Sequence, residues 1–416
     1  MTPWLHIIGV GEGELPALPP ADIILGPARL LDRLPAENQE TLSQAPLPLA
    51  EWGGGGGQVY RPRLEPWRSP KFAAMLDQLL AHRGTPTLLL ATGDPNWFGI
   101  GASLARHLDP SEYDIRSAPS AFQLAAARLR WPLQHVTTLS LHARPPELIH
   151  PHVTPGNRIL ALTTDATTAP HVARLLAERG YGRSVLTVLE HLGGPGERIA
   201  SAQAAGFALP IGDFYVLAID CAADPGAPLF APVPGLPDDA FISDGQLTKR
   251  EIRAITLGKL MPCPSALLWD VGAGCGSVAI EWMRAARDAA AIAFEREGER
   301  LQMIAVNADR LGVPGLRIEN GDAPDSLVGM PAPDAIFLGG GVASETLFHA
   351  CWTALRPGGR LVANAVPLDG GQALLARQAR LGGDLVRLDV AALDRLGDHD
   401  AFYPRRTVTQ WSVRKP

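Results

Sequence analysis

Apolar residues in this chain come in short bursts that stop on glycine, separated by stretches with helical periodicity. Trp4 to Val10 (WLHIIGV) is the first burst, a strand running into a turn that carries Gly9, Gly11 and Gly13. From Pro19 to Leu34, Ile23, Ile24, Leu30 and Leu31 recur at helical spacing, with two prolines at the start where a helix tolerates them. That segment is expected to be a helix. Residues 35–70 lack periodicity, contain the run Gly53 to Gly57, and read as an irregular surface loop. Lys71 to Arg83 is amphipathic. Thr87 to Ala91 (TLLLA) predicts a buried strand that closes in the tight turn Thr92, Gly93, Asp94, Pro95 before another helix.

The sharpest pattern is Ala266 to Ile280 (ALLWDVGAGCGSVAI). Leu267, Leu268, Trp269 and Val271 predict a central parallel strand. Gly272, Gly274 and Gly276 then let the backbone turn and approach a ligand without Cβ atoms in the way, and a helix follows. A dinucleotide fingerprint would put its last glycine at the sixth position of the loop, which is Ser277 here. The next apolar stretch ends on Glu295, about twenty residues beyond the loop, where an acid can take ribose hydroxyls. Helix 297–311, strand 316–319, strand 335–338 before three glycines, helix 345–355 and strand 360–366 continue the alternation of a doubly wound α/β sheet.

Between the halves, Ala222 to Asp239 holds five prolines and two glycines and reads as an extended connector. The expected organisation is therefore a domain over 1–221, a linker over 222–240 and a second domain over 241–416. Thr248 and Glu251 have capping-box spacing ahead of Ile252, Ile255 and Leu260, so Thr248 is expected to cap a helix.

A length of 416 residues fits two or three domains, and 46% hydrophobic with 19% charged residues can bury sizeable cores. A net charge of -6 argues against nucleic acid or an anionic membrane surface as partner. Cys221, Cys263, Cys275 and Cys351 show no CxxC spacing, which suits a reducing compartment and points to no metal. Arg29 is the first basic residue, and no apolar run approaches the ~18 residues of a membrane helix, so a soluble cytoplasmic protein is expected.

The loops GVGEG and TGDPNWFGIG, with Ser117 to Trp131, Arg158 to Leu176, Val188 to Ile199 and Phe214 to Asp220, resemble the class III methyltransferases of tetrapyrrole biosynthesis. The likeness spans most of residues 1–221. It implies S-adenosyl-L-methionine in a cleft between the loops, with Gly9, Gly11, Gly13, Gly93, Asp94, Ser120 and Ala121 as candidate contacts. Ser120 reads equally well as the N-cap of a helix from Ala121.

Asp270 and the glycine spacing of the second half resemble motif I of class I S-adenosylmethionine methyltransferases. ISDGQLTKREIRA, DVGAGCGSVAIEW and GDAP (Gly321 to Pro324), in that order, resemble the C15-methylating, decarboxylating enzymes of cobalamin biosynthesis. Donor contacts implied by this resemblance are Thr248, Gly272, Ala273, Gly274, Cys275, Gly276, Glu295, Asp322 and Ala323. Asp322 either accepts from the adenine amino group or caps the next turn; agreement with Glu295 and the glycine loop favours the former.

A class III half followed by this class I half is similar to the decarboxylating C5,15-methyltransferase family of the aerobic cobalamin pathway. The implied fold is α/β: a class III (tetrapyrrole) methyltransferase domain plus a Rossmann-like class I domain. The implied activity is methylation of the small tetrapyrrole precorrin-6Y at C5 by residues 1–221. Residues 241–416 would methylate C15, with loss of the C12 acetate carboxyl. Related domains associate, so an oligomer is expected.

Methyl transfer from a sulfonium to an activated carbon needs chiefly positioning, which contributes roughly 7 to 11 kcal/mol in the best cases, so no catalytic side chain is assigned. The carboxylates of a precorrin suit arginine forks. Arg61, Arg63, Arg68, Lys249, Arg250, Arg253, Arg405 and Arg406 are candidates, each also readable as a solvated surface charge. His135, His142, His150 and His152 have no ligand spacing and read as surface or structural. Two rivals stand beside this reading: an RNA or protein methyltransferase, which net acidity disfavours, and a carrier that binds the donor without transfer.

Overall fold

A computed structural model of the chain describes residues 3–13, 15–34, 62–68, 72–396 and 398–416, Leu396 in its backbone only. Gly53 to Gly57 and Arg61 lie outside the described residues. The chain divides into two units: Met1–Arg144 with Gly156–Ala177 and Tyr181–Ala222, and Pro145–Pro155 with Glu178–Gly180 and Ala223–Pro416.

The first unit contains two sheets. Strands β1 (Leu5–Val10), β2 (Ile23–Gly26), β3 (Arg63–Pro66), β4 (Thr87–Thr92) and β5 (Tyr113–Arg116) form a parallel sheet in the order β3-β2-β4-β1-β5. Two sequence expectations are corrected here. Ile23 to Gly26 is a strand, buried at every position and paired with β4, and the helix that follows covers only Ala28–Leu31. A strand buried on both faces reads as a continuous apolar run, which periodicity does not separate from one face of a helix. Within the stretch expected to be irregular, Arg63–Pro66 adds to the open edge of β2. Pro66 ends that strand, at an edge position where its missing N–H costs no ladder bond.

The second sheet of this unit uses β6 (Val136–Ser140), β7 (Arg158–Leu162), β8 (Val185–Glu190), β9 (Arg198–Gln203) and β10 (Tyr215–Asp220), in the order β6-β7-β10-β8-β9. Only β6 and β7 run parallel. Phe122, Ala125 and Ala126 of the helix Ala121–Leu129 pack on its face against Leu160, Leu189 and Val216.

The second unit is built on β11 (Leu267–Val271), β12 (Ala290–Glu295), β13 (Arg317–Asn320), β14 (Ala335–Leu338), β15 (Arg360–Ala365), β16 (Asp384–Leu388) and β19 (Val408–Arg414). Their order is β13-β12-β11-β14-β15-β19-β16, and β17 (Ala391–Leu396) with β18 (His399–Pro404) forms a separate hairpin. The first five strands are parallel, and β19 runs antiparallel to both of its neighbours. Strand order reverses between β11 and β14, the switch point at which open α/β sheets bind ligands. The loop after β11 therefore stands where the topology leaves a crevice. Val278, Ile280, Trp282 and Ile304 cover one face of the sheet; Trp269, Phe294, Phe348 and Trp411 fill the other.

The proline-rich connector is fastened to the second unit. Glu281, buried in the helix Ser277–Ala285, accepts from Gly235 N at 2.6 Å, Leu236 N at 3.0 Å and Arg253 Nε at 2.6 Å. No helix among the described residues is long and apolar enough to cross a membrane.

Candidate functional site

In the first unit, a cavity of about 730 Å³ is lined by residues at the carboxyl ends of β1, β4, β6, β7 and β8. Gly11, Gly93, Asp94, Ser120 and Ala121 all line it; Gly9 and Gly13 do not. Gly9 has a steric task instead. A Cβ there would lie 2.3 Å from Gly93 O and 2.6 Å from Ala118 N, so its absence lets the end of β1 touch the loop after β4. Gly11 has nothing within 4 Å of a notional Cβ, and so presents open main chain to the cavity. Gly93, at φ +65°, makes the turn that leads to Asp94, whose Oδ1 accepts from Asn96 N at 2.8 Å and Ser117 Oγ at 3.2 Å. Ser120 caps the helix from Ala121 in a reciprocal pair with Gln123, and the same buried residue faces the cavity. Both roles considered for Ser120 are thus geometrically open to it.

Sequence reasoning missed Arg29, which also lines the cavity. It donates to Glu12 Oε1 and Thr92 Oγ1, each at 2.6 Å, and its guanidinium lies 4.5 Å from the centroid of the Phe214 ring. Glu12 follows β1, Thr92 ends β4 and Phe214 precedes β10, so three segments distant in sequence meet on one side chain. No local spacing could reveal that. His142, expected to be merely surface or structural, lines the cavity too and donates from Nδ1 to Thr163 O at 3.0 Å.

In the second unit, Gly272, Gly274 and Gly276 adopt φ of +75°, +59° and +81°, the left-handed region where a side chain would be strained. Gly272 also approaches the β14 loop: a Cβ there would lie 2.9 Å from Gly340 N. Ala273 N donates to Phe294 O at 3.1 Å, Cys275 is buried, and Gly276 precedes the helix Ser277–Ala285. Glu295 Oε2 accepts from Gly274 N at 2.8 Å. Gly321 N donates to Glu295 O at 3.2 Å, which sets Asp322 and Ala323 beside the end of β12. Asp322 is exposed and pairs with Arg296 at 3.3 Å. Gln246 O lies 3.4 Å from a notional Cβ of Gly274, so the segment leading to Thr248 faces the loop. Asp244, in the same segment, is held low in pKa by the N–H of Gln246 and by Arg300 at 2.7 Å.

Thr248 is not the cap that its spacing suggests. The helix covers Arg250–Leu260 with Lys249 at the N-cap position and no side-chain cap. Arg253 reaches back to Thr248 O, and the same guanidinium bonds Leu236 O, Asp238 and Glu281. Those bonds fix the chain at Thr248 without its hydroxyl. They also overturn the reading of Arg253 as a substrate ligand or surface charge: it is fully buried and committed to Glu281 and the connector. Arg250 donates to Gly235 O at 2.8 Å and Arg405 to Glu251 at 3.2 Å. Of the candidate arginines, Arg68 lines the first unit's cavity.

Asp270 is buried at the end of β11, where its Oδ2 accepts from Ala279 N at 3.0 Å and its Oδ1 has no protein partner. Burial, with the nearby Glu295 charge adding to it, pushes its pKa up to about 7. Such an unpartnered carboxyl oxygen beside a glycine loop suits a polar group from outside the chain. His150 is buried, and burial with Arg179 and Arg284 nearby lowers its pKa to about 3, so it is a neutral structural residue.

Two family models match. Tetrapyrrole (Corrin/Porphyrin) Methylases matches residues 5–207, and Precorrin methyltransferase domain matches residues 239–415. A precorrin-6Y C(5,15)-methyltransferase (decarboxylating) of Sinorhizobium sp is 42% identical over 421 residues, covering 100% of this chain and 97% of that protein. One from Mycobacterium tuberculosis is 38% identical over 353 residues, 84% of this chain and 87% of its own length. A cobalt-precorrin-6B C(15)-methyltransferase (decarboxylating) of Salmonella typhimurium is 34% identical over 166 residues, 39% of this chain and 85% of that protein. The two α/β folds are accordingly a tetrapyrrole-methylase fold and a Rossmann-like methyltransferase fold. With full-length identity to the first relative and both models matched in order, the chain belongs to the family of precorrin-6Y C(5,15)-methyltransferases (decarboxylating).

Proposed function

We propose that this chain methylates precorrin-6Y at C5 and at C15 and removes the C12 acetate carboxyl, with S-adenosyl-L-methionine as donor at both sites. C5 methylation is assigned to residues 1–221 and the C15 and decarboxylation steps to residues 241–416. The observation that carries this reading is that two separate glycine loops in one chain each sit at the carboxyl ends of parallel strands.

Bound S-adenosyl-L-methionine would supply a methyl group on a sulfonium. In the first unit Gly11, Gly93, Asp94, Ser120 and Ala121 would hold it, Gly9 would keep the two loops in contact, and Gly13 lies further along the same turn. In the second, Gly272 to Gly276 would form the cradle, Glu295 would take the ribose hydroxyls, and Asp322 with Ala323 would border the adenine beside Thr248. The buried Asp270 fits this role through its free Oδ1, which a donor at the loop can satisfy. For decarboxylation, a tetrapyrrole methylated at C15 carries its own electron sink, so the site's task is to orient the acetate and exclude water.

Product mass spectrometry tests the assignment. Gly274→Asp forces a charged side chain into a left-handed position and should abolish C15 methylation and carbon dioxide loss while C5 methylation continues. Loss of both methyl additions, or of neither, contradicts the two-site reading. A wild type that binds labelled donor yet transfers no label would make the protein a carrier.

A further inference from the structure

We infer that His142 is the base that accepts the proton released by methylation in the first unit. The inference rests on the assignment of C5 methylation to that unit. When a meso CH is methylated, the C–CH3 bond forms as the methyl's bond to sulfur breaks, and that pair stays on sulfur. The methylated carbon still holds its hydrogen. Breaking this C–H bond returns its electron pair to the conjugated ring system, and the proton needs an acceptor inside the cavity. Positioning alone does not provide one.

Besides His142, the charged and titratable side chains lining the cavity are Glu12, Arg29, Arg68, Asp94, His191, Asp213 and Tyr215. The Tyr215 hydroxyl donates to Asp165 O at 2.9 Å and accepts from Ala169 N at 3.0 Å, and burial raises its pKa, so it offers no base. Arginines do not deprotonate in proteins. Glu12 is paired with Arg29 at 2.6 Å. Asp94 accepts from Asn96 N and Ser117 Oγ, and Asp213 accepts from Ala166 N at 3.0 Å. Those carboxylates hold loops in place. The two histidines remain, and their settings differ.

His142 Nδ1 lies 3.0 Å from Thr163 O. A carbonyl only accepts, so Nδ1 carries the hydrogen, and Nε2 of the neutral ring is left with its lone pair. The tautomer is fixed by the main chain of the neighbouring parallel strand end. The turn itself is braced: Thr164 Oγ1 donates to Leu141 O at 3.0 Å and accepts from Ala143 N at 2.9 Å. Ala143 is held at φ +53°, a conformation that costs a non-glycine residue free energy and persists where the surroundings enforce it. His191 makes a tilted contact with Phe214, ring centroids 5.7 Å apart, rather than sharing this arrangement. After proton transfer the His142 imidazolium keeps its bond to Thr163 O, and its exposure lets the proton pass to water.

His142→Asn separates the roles, because an amide N–H can reproduce the Nδ1 donor while offering no base. Expected in the variant is a fall of about 10² to 10⁴ in kcat for the C5-methylated product, with KM for the tetrapyrrole nearly unchanged. Calorimetric donor affinity should match wild type, C15 methylation and decarboxylation should persist, and deuterium at C5 should slow the variant more than wild type. If wild type methylates C5 and the variant does so within about threefold, His142 is not the base, whereas the assignment of C5 methylation stands. A loss of donor affinity or of thermal stability that accounts for the whole effect would make the residue structural and overturn the proposal. If wild type adds no methyl at C5, the underlying assignment fails and His142 with it.

Discussion

Glu295 holds Gly274: its Oε2 accepts the glycine N–H at 2.8 Å, while Oε1 accepts from Arg296 N at 2.9 Å and Glu297 N at 3.1 Å. The carboxylate that ends β12 thus braces the loop that follows β11. A ligand's hydroxyls would meet a group already oriented by three N–H donors, so little ordering is left for binding.

Glu295→Gln keeps the shape and removes the charge. Hydrogen bonds to charged groups contribute about 1.5–3 kcal/mol, so donor affinity at the second unit should fall roughly 10- to 100-fold. Titration calorimetry on wild type should resolve two donor sites per chain, and the variant should keep the first unit's site unaltered. Equal weakening of both sites would remove Glu295 from the second site.

Gly9 and Gly11 make a paired test in the first unit. Gly9→Ala drives a methyl into Gly93 O and Ala118 N, main-chain atoms that cannot swing aside, and overpacking of this kind costs typically 1–3 kcal/mol. Gly11→Ala meets nothing within 4 Å. The first variant should melt earlier. The second should melt with wild type but bind donor more weakly in the cavity, as thermal melts with and without S-adenosyl-L-methionine would reveal.

Much of this architecture is legible in the residues, for identifiable reasons. Ala266 to Ile280 declares itself because strand, left-handed glycines and helix follow within a few positions, so the signal is local. Ile23 to Gly26 misleads because a strand covered on both faces has no alternation. Arg63–Pro66 has no apolar pattern of its own and is a strand only because β2 offers an edge. Thr248 and Glu251 have the right spacing, but Arg253, held by Leu236 O and Glu281 at 17 and 28 positions away, draws the chain at Thr248 elsewhere, and those anchors lie outside the capping pattern. Arg29 and His142 join the cavity through partners 63 and 21 positions away, distances at which periodicity carries no information.

Arg253 and Glu281 form a fully buried pair at 2.6 Å, with Glu281 also accepting from Gly235 N and Leu236 N. Removing Glu281 leaves the buried Arg253 with only the part-buried Asp238, at 3.1 Å, as counter-charge, so the cost should approach without exceeding the roughly 3–5 kcal/mol typical of breaking a buried pair. Glu281→Ala should therefore lower the urea midpoint of the second unit's transition and release the connector, detectable as faster proteolysis between Ala223 and Asp239. An unchanged cleavage pattern would mean that the connector is held by other contacts.

Asp270 should make the second unit's stability depend on pH in an unusual direction. Burial, and secondarily the charge of Glu295, raise its folded pKa to about 7, above the ordinary carboxylate value of 3.8 that the unfolded chain would have. The folded state thus holds a proton that the unfolded state has lost. Its stabilising contribution is complete below the unfolded value, declines as pH rises from there, and is gone once pH passes the folded value. Asp270→Asn is isosteric, can still accept from Ala279 N, and does not ionise. Its stability relative to wild type should grow between pH 4 and 7 and level off above about 7, by at most about 4 kcal/mol. Urea unfolding of both proteins from pH 4.5 to 8.5 measures that difference, and other titrating groups cancel between them. A difference that stays constant with pH would mean that Asp270 is ionised throughout, with its Oδ1 satisfied by an internal water.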